Sequence, residues 1–356
     1  MSAPDSDPAA APSITSGSTE KEGSARWRWI KRIGRALLFV LGVTAVVLLV
    51  REAGPDRVLE TLVQAGPWIP LIVLLECCFM GMDVVALRGL MGERGRRVPT
   101  AVWVRTAFLQ YGVMQLLPAG RAGGEVARAA GLSPYVGGAA RAAAAATRLQ
   151  AATLLGNTII SIPCAIGVAL AVDMPVAESP LFWAIVGNGL ITAVIGGAIV
   201  LASRKSSLGE WLGRRVPMLA AHGTSFDAAL RQDTPWSPAI VATAIGRVFQ
   251  TLQYGLILLA VGGSLTIVSA LVSQGIHLVG AGMGDMVPNQ VGITEGAYRL
   301  FAPALGLENE AARAIGIALV ARICQFSLAG TCLIVSALWK ASPADVAVDD
   351  GATVEP

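Results

Sequence analysis

Eight apolar blocks, each close to the length that crosses a bilayer, constrain the fold of this chain more than any other feature. A membrane-spanning helix needs about 20 residues, and blocks of suitable length lie near residues 33–50, 67–90, 100–117, 139–172, 180–202, 237–262, 265–287 and 310–338. Of the 356 residues, 54% are hydrophobic and only 14% are charged, whereas a soluble domain carries about 25% charged residues. The sequence therefore predicts an all-α polytopic membrane protein.

The charges of the loops contradict a simple count of eight crossings. The segments 26–35, 88–97 and 203–221 are basic, whereas the loop 173–179 contains no cation. Basic loops stay in the cytoplasm, so two full crossings between residues 98 and 172 would put the loop 173–179 on the wrong side. We therefore expect residues 100–137 to form a re-entrant hairpin, which enters the membrane and returns to the same face. Non-helical backbone at membrane depth is tolerated where protein or water covers it.

The second half of the chain repeats the pattern of the first. A proline precedes a glutamate by seven residues in both halves, and an arginine follows each glutamate within about one turn. Each half then continues into a long apolar helix with one deep arginine. The matched residues are Pro118, Glu125, Arg128 and Arg148, then Pro288, Glu295, Arg299 and Arg322. Because the loop charges place the second hairpin, residues 265–304, on the opposite side, we expect two inverted repeats with about six full spans and two re-entrant hairpins.

These patterns also divide the chain into segments. We expect a disordered cytoplasmic tail at 1–24, a first span with its flank at 25–66, repeat 1 with the span that follows it at 67–202, a cytoplasmic amphipathic loop at 203–236, repeat 2 at 237–340, and a disordered tail at 341–356. Both termini are then cytoplasmic, and the expected location is the inner membrane of a bacterium.

Ionisable residues within the apolar blocks are the candidates for function. A charged side chain at the centre of a membrane helix costs about 2.5–3.5 kcal/mol on insertion scales, so it usually has a partner or a task. If the hairpins meet, their charges converge with a surplus of arginine, which suits an anionic group such as a phosphate. The candidate substrate-binding residues are Arg121, Gly124, Glu125, Arg128, Arg148, Glu295, Arg299 and Arg322. The alternative is that glutamates and arginines only pair to pin the hairpins, and the two interpretations are compatible.

Three other carboxylates are candidates for coupling transport to an ion: Glu76, Asp83 and Asp285. Glu76 and Asp83 lie on one helical face, and pairing with Arg105 or Arg247 is the alternative that we favour for them. We interpret His277 as a hydrogen-bonded core histidine. The sequence contains no nucleotide-binding loop and no zinc-ligand spacing, so we expect no cofactor, no metal and no nucleic-acid partner.

Two segments, "LLPAGRAGGEVARAAGL" and "MVPNQVGITEGAYRLFAPALGL", resemble the paired signatures of the flippase-like integral membrane family, also called the lysylphosphatidylglycerol synthase transmembrane region. The resemblance covers about residues 33–338. It places the polar signature of the family on Pro118, Arg121, Gly124, Glu125, Arg128, Pro288, Gly292, Glu295, Gly296 and Arg322. Many members carry an aspartate where Glu125 stands. The aminoacyl-transferase domain of the full synthases is absent from this sequence, so we do not expect lipid aminoacylation by this chain.

The resemblance implies a lipid transporter or flippase that moves a phospholipid, or another lipid with an anionic headgroup, across or out of the inner membrane. Two alternatives stay open: a membrane enzyme that acts on a lipid-linked polyprenyl substrate, and a scaffold for a separate lipid synthase. The expected partners are the lipid substrate and either a second copy of the chain or a lipid-biosynthesis enzyme.

Overall fold

The computed structural model describes residues 44, 46–117, 120–172, 174–205, 209–210, 214, 223–231, 235–284, 290–307 and 310–339. Both predicted tails, most of the block 33–50 and half of the loop 203–236 lie outside the described residues. The described part is helical and contains no strand. Its helices are α1 (Pro55–Ala65), α2 (Ile69–Leu90), α3 (Gly92–Arg97), α4 (Thr100–Leu116), α5 (Gly120–Val136), α6 (Ala139–Ala171), α7 (Pro180–Lys205), α8 (Gly223–Leu230), α9 (Ser237–Ala260), α10 (Ile267–Gly284), α11 (Ile293–Leu300) and α12 (Ala311–Leu338). The all-α prediction is confirmed.

Five stretches of helix are long and apolar enough to cross a membrane: Pro55–Leu90, Ala139–Ala171, Pro180–Arg204, Ile267–Gly284 and Ala311–Leu338. They include four of the predicted spans that lie in the described part, and also α10, which the sequence predicted as an arm of the second hairpin. Helix α9 has 24 residues but is not among the five, because its inward face carries polar residues. Arg247, Gln250 and Gln253 on that face are all buried.

The predicted first hairpin corresponds to the antiparallel pair α4 and α5. Glycine brings the two backbones together, since a Cβ atom at Gly124 would lie 2.7 Å from the carbonyl oxygen of Gln110. About two turns further along α5, a Cβ at Gly131 would lie 2.8 Å from Thr106. The other side of α4 packs on α12, where a Cβ at Gly112 would lie 3.1 Å from the carbonyl oxygen of Ala329. The first hairpin is therefore packed tightly against α12.

The predicted second hairpin corresponds to α10 and α11, which pack at Gly280 and Thr294. Its returning helix has 8 residues, whereas α5 has 17, so the two hairpins differ in length. Pro118 and Pro288, which we expected to break the helices, lie outside the described residues. The inverted relation of the two halves stays a prediction.

The main apolar core lies where α2, α9, α10 and α12 meet. Ile72, Ile257, Ile276 and Ile317, one from each helix, have no exposed surface. The outside of the bundle is apolar as well: Leu170, Val194 and Ile334 are exposed by 71%, 69% and 62%. Large apolar surfaces of this kind mark contact with a membrane or a partner, and here they belong to helices of spanning length.

Candidate functional site

A cavity of about 1320 Å³ lies between helices of the two halves. It is larger than the ordinary small-molecule pocket of about 300–1000 Å³. Its charged wall residues are Glu76, Arg121, Glu125, Arg247 and Arg322. They come from α2, α5, α9 and α12, so residues far apart in sequence meet at one place.

One side of the cavity is apolar and open to the surface of the bundle. Val126, Ile191 and Met283 line the cavity, and they are exposed by 70%, 61% and 70%. Each lies on a helix whose outer surface faces away from the core. A molecule in the cavity can therefore contact both the charged interior and the lipid-facing surface.

The charges of the first hairpin divide into a pair and a single cation. Nη2 of Arg128 donates to Glu125 Oε1 at 2.6 Å, and Arg128 itself is buried behind the wall, with 4% exposure. Arg121 is exposed and lines the cavity, and it makes no hydrogen bond or ion pair within the described part of the chain. Gly124 serves the close packing of α4 and α5 described above. Arg128 thus fixes Glu125, while the guanidinium of Arg121 stays available.

In the second half, a fully buried glutamate holds an arginine at the wall. Nε and Nη2 of Arg322 both lie 2.8 Å from Glu295 Oε1. The other carboxylate oxygen accepts the backbone N–H of Gly292 at 2.9 Å, which caps the start of α11. Glu295 has no exposed surface, whereas Arg322 lines the cavity. The glutamate therefore ties the position of Arg322 to the first turn of α11.

Arg247 is the wall residue that sequence reasoning underrated, because it was considered only as a partner for Glu76 or Asp83. Its side chain is 5% exposed, Nη1 donates to Gln250 Oε1 at 2.6 Å, and the guanidinium lies 5.0 Å from the ring centre of Phe79. Gln274 donates to the same Gln250 oxygen at 3.0 Å. Among the described residues no carboxylate lies within ion-pair distance of Arg247. Buried cations are usually paired, so this one stands out.

A spacing in the sequence could have revealed this part of the wall. Arg247, Gln250 and Tyr254 follow one another at i, i+3 and i+7 on α9, which places them on one helical face. All three line the cavity. Polar residues at helical spacing within an apolar block are therefore as informative as the proline–glutamate signature.

Arg148 and Arg299 lie away from the cavity. Arg148 has 1% exposure, donates to the carbonyl oxygen of Leu90 at 3.2 Å and lies 4.9 Å from the ring centre of Trp236. Arg299 is on the surface, 3.5 Å from Glu52. The structure thus brings Arg121, Glu125 and Arg322 to one cavity and leaves these two arginines outside it.

The candidate coupling carboxylates have different surroundings. Glu76 lines the cavity with 2% exposure, and its two oxygens accept Tyr111 Oη at 2.8 Å and Gln253 Nε2 at 2.7 Å. Its direct partners are therefore neutral, and not the arginines that we favoured. Arg105 instead donates to the carbonyl oxygen of Ser336.

Asp83 is half-buried and makes no ion pair within the described residues, although it interacts electrostatically with Arg128 and Arg247. Asp285 lies outside the described residues. His277 lies at the cavity wall, stacked on Tyr254 with 4.2 Å between ring centres, and its Nε2 is 3.4 Å from Tyr254 Oη. This is the arrangement expected for a hydrogen-bonded core histidine.

In the described part of the chain no three histidine, cysteine, aspartate or glutamate residues are grouped so that they could hold a metal ion. The polar groups of the cavity wall are guanidinium, carboxylate, imidazole, amide and hydroxyl groups, which can bind a ligand by charge and hydrogen bonding.

Comparison with known proteins identifies a family for this chain. A family model described as the lysylphosphatidylglycerol synthase TM region matches residues 35–332. No curated protein matches the chain. The matched range includes every residue that lines the cavity, and this family indicates an integral multi-pass membrane protein involved in lipid handling.

Proposed function

The chain belongs to the lysylphosphatidylglycerol synthase TM region family, and from its cavity we propose that it transports a lipid with an anionic headgroup across or out of the membrane. The observation that carries the proposal is the presence of three guanidinium groups, those of Arg121, Arg247 and Arg322, on the wall of a cavity with an apolar opening. His277 and all three arginines line this same cavity, although they belong to four different helices, α5, α9, α10 and α12. In this proposal, the cavity holds the headgroup.

The charge balance of the wall favours an anion. The two carboxylates of the wall are already engaged, since Glu76 accepts two neutral donors and Glu125 binds Arg128 behind the wall. Arg121 and Arg247 have no carboxylate partner among the described residues. Hydrogen bonds between guanidinium and phosphate are charge-assisted and often bidentate, so a phosphate would satisfy both the charge and the free N–H groups.

The shape of the cavity suits a lipid rather than a free anion. A headgroup at the arginines would leave its acyl chains at the opening formed by Val126, Ile191 and Met283, which are exposed apolar residues. The chains would then stay in the bilayer while the headgroup is inside the protein. The cost of moving a charged group through hydrocarbon is thereby avoided.

Binding without covalent change is part of this proposal, as are a location in the inner membrane and cytoplasmic termini. A second copy of the chain, or a separate lipid-biosynthesis enzyme, stays a predicted partner. The alternative enzyme acting on a lipid-linked substrate differs in one measurable way, because it would change the mass of the lipid that it binds.

The test is native mass spectrometry of the full chain, purified in mild detergent, with extraction and identification of the retained lipids. Arg121→Gln and Arg247→Gln remove wall cations and keep hydrogen-bonding side chains. Arg299→Gln is the matched control, because that arginine forms an exposed pair with Glu52 outside the cavity. We expect one anionic lipid class on the wild type and the control, and about tenfold less of it on the two wall variants, since hydrogen bonds to charged groups contribute about 1.5–3 kcal/mol.

Two results would contradict the proposal. Equal amounts of the same lipids on all four proteins would mean that the arginines serve only the structure, as they would in a scaffold. A retained lipid with an altered mass would indicate an enzyme instead of a transporter.

A further inference from the structure

A row of uncharged polar side chains follows the cavity along α6 and α7. Thr147, Gln150 and Asn157 lie on one face of α6, and Asn188 and Thr192 lie one turn apart on α7. All five line the cavity. No charged residue of α6 or α7 is part of the cavity wall within the described residues, so this side of the cavity differs from the side that carries the arginines.

The amides of the row have hydrogen-bonding capacity that the protein does not use. The two threonines donate to carbonyl oxygens of their own helices. In contrast, the side chains of Gln150 and Asn188 make no hydrogen bond within the described part of the chain, and Asn157 Oδ1 is buried without a partner. Leaving a buried acceptor such as Asn157 Oδ1 unsatisfied costs about 1–3 kcal/mol. Gln150 and Asn188 are half-buried, so the three amides of the row can offer hydrogen bonds to whatever occupies the cavity.

Contacts between α6 and α7 show how far the row of polar side chains extends along the axis of α6. The hydroxyl groups of Thr158 and Thr192 are 3.0 Å apart, and a Cβ at Gly189 would lie 3.0 Å from Ser161. The helices run in opposite directions, so Asn188 lies about one turn beyond Asn157. At about 1.5 Å per residue, the row from Thr147 to Asn188 then extends for about 20 Å. This is about two thirds of the hydrocarbon thickness of about 30 Å.

The arginine side of the cavity meets the row near its middle. Trp236 contacts Arg148 and Thr243 donates to the carbonyl oxygen of Ala152 at 3.0 Å, so α9 runs in the same direction as α6. Arg247 lies one turn beyond Thr243 and is therefore close to the level of Asn157. Polar positions continue on both sides of this level, towards Thr147 and towards Asn188.

We propose that Thr147, Gln150, Asn157, Asn188 and Thr192 form a neutral polar track along which the lipid headgroup moves to and from the arginines. This inference rests on the proposed function and adds the path to it. Binding along a conduction path has to be weak enough, and spread over enough sites, for the occupant to leave. Neutral amides and hydroxyls replace the water of the headgroup without trapping its charge. The track therefore determines the rate of translocation, whereas the arginines determine affinity.

The test uses the full chain reconstituted in vesicles of phosphatidylethanolamine and phosphatidylglycerol with a trace of fluorescent phosphatidylglycerol. Dithionite destroys the fluorophore in the outer leaflet, so the later decay reports the transfer of lipid between leaflets. We expect Asn157→Leu and Asn188→Leu each to slow this transfer by about tenfold, the factor that corresponds to the loss of one hydrogen bond. Asn157→Ser keeps a hydroxyl in place of the amide, and we expect it to retain most of the wild-type rate.

The control variant is Thr331→Val, because Thr331 is an exposed polar residue of α12 outside the cavity. Elution as a single species in detergent and unchanged lipid retention by native mass spectrometry would show that the track variants are folded and still bind. Wild-type rates in folded Asn157→Leu and Asn188→Leu would overturn the track and leave the proposed function standing. No transfer above that of protein-free vesicles by the wild type would overturn both.

Discussion

Replacement of Glu295 by alanine should destabilise the protein more than the loss of any surface ion pair. The substitution leaves Arg322 without its carboxylate and the Gly292 N–H without its acceptor. Breaking a buried pair costs about 3–5 kcal/mol. Arg322 keeps access to the cavity, with 16% of its side chain exposed, so the lower end applies. Loss of the bond that caps α11 adds about 1 kcal/mol, which brings the expected decrease in the free energy of unfolding to about 4 kcal/mol.

The matched control is Glu310→Ala. Glu310 also lies at the start of a helix and pairs with Arg313, three residues further along. Both side chains of this pair are about 40% exposed, at 41% and 39%, and such pairs contribute at most about 1 kcal/mol. A denaturant titration in detergent micelles, followed by tryptophan fluorescence, measures both variants against the wild type. The double variant with Glu295→Gln and Arg322→Gln should be more stable than Glu295→Ala, because no charge is left unpaired. If Glu295→Ala and Glu310→Ala unfold alike, the reasoning about the buried pair is wrong.

Two further predictions use the same titration. Gly124→Ala should lower the free energy of unfolding by about 1–3 kcal/mol, because the added Cβ meets the backbone of α4 at Gln110. The control is Gly330→Ala, which should be neutral or stabilising because Gly330 faces open space on α12. Equal losses of stability in both variants would contradict close packing of the first hairpin. Glu76→Leu should lower the free energy of unfolding by about 2–3 kcal/mol, because Tyr111 Oη and Gln253 Nε2 lose their acceptor. Glu76→Gln keeps one acceptor oxygen and should lower it by less than half of that amount. The opposite order would indicate that Glu76 does not accept these two hydrogen bonds.

The helices were predictable from the sequence because spanning length and low charge leave few alternatives. The pairing of α4 with α5 was predictable for a different reason, since the loop charges required residues 100–137 to return to one face. The membrane depth of that hairpin stays a prediction. The role of α10 was harder to predict, because its 18 residues are apolar enough for either an arm or a full span.

Part of the candidate site followed from the repeated pattern of proline, glutamate and arginine, which pointed to Arg121, Glu125 and Arg322. All three line one cavity, and their role in substrate binding stays a prediction. Arg148 was matched to Arg322 by its place in the sequence, but it packs on Trp236. Spacing along a helix identifies a face and does not identify which neighbour covers that face. For the same reason Arg247 was considered only as a partner for Glu76 or Asp83. The packing of α9 against α2 shows that, among the described residues, it contacts Gln250 and Phe79 and has no carboxylate within ion-pair distance.

The length of α6 has a consequence for where a lipid would meet the protein. Its 33 residues extend for about 50 Å at 1.5 Å per residue. Even at a tilt of about 40°, the helix is longer than the hydrocarbon layer of about 30 Å. The exposed Arg141 marks the first turns of α6 as the end that projects. Ala143 and Ala146, which line the cavity, follow Arg141 within two turns. In the proposed function, a lipid would therefore enter near this end, by moving sideways within its own leaflet.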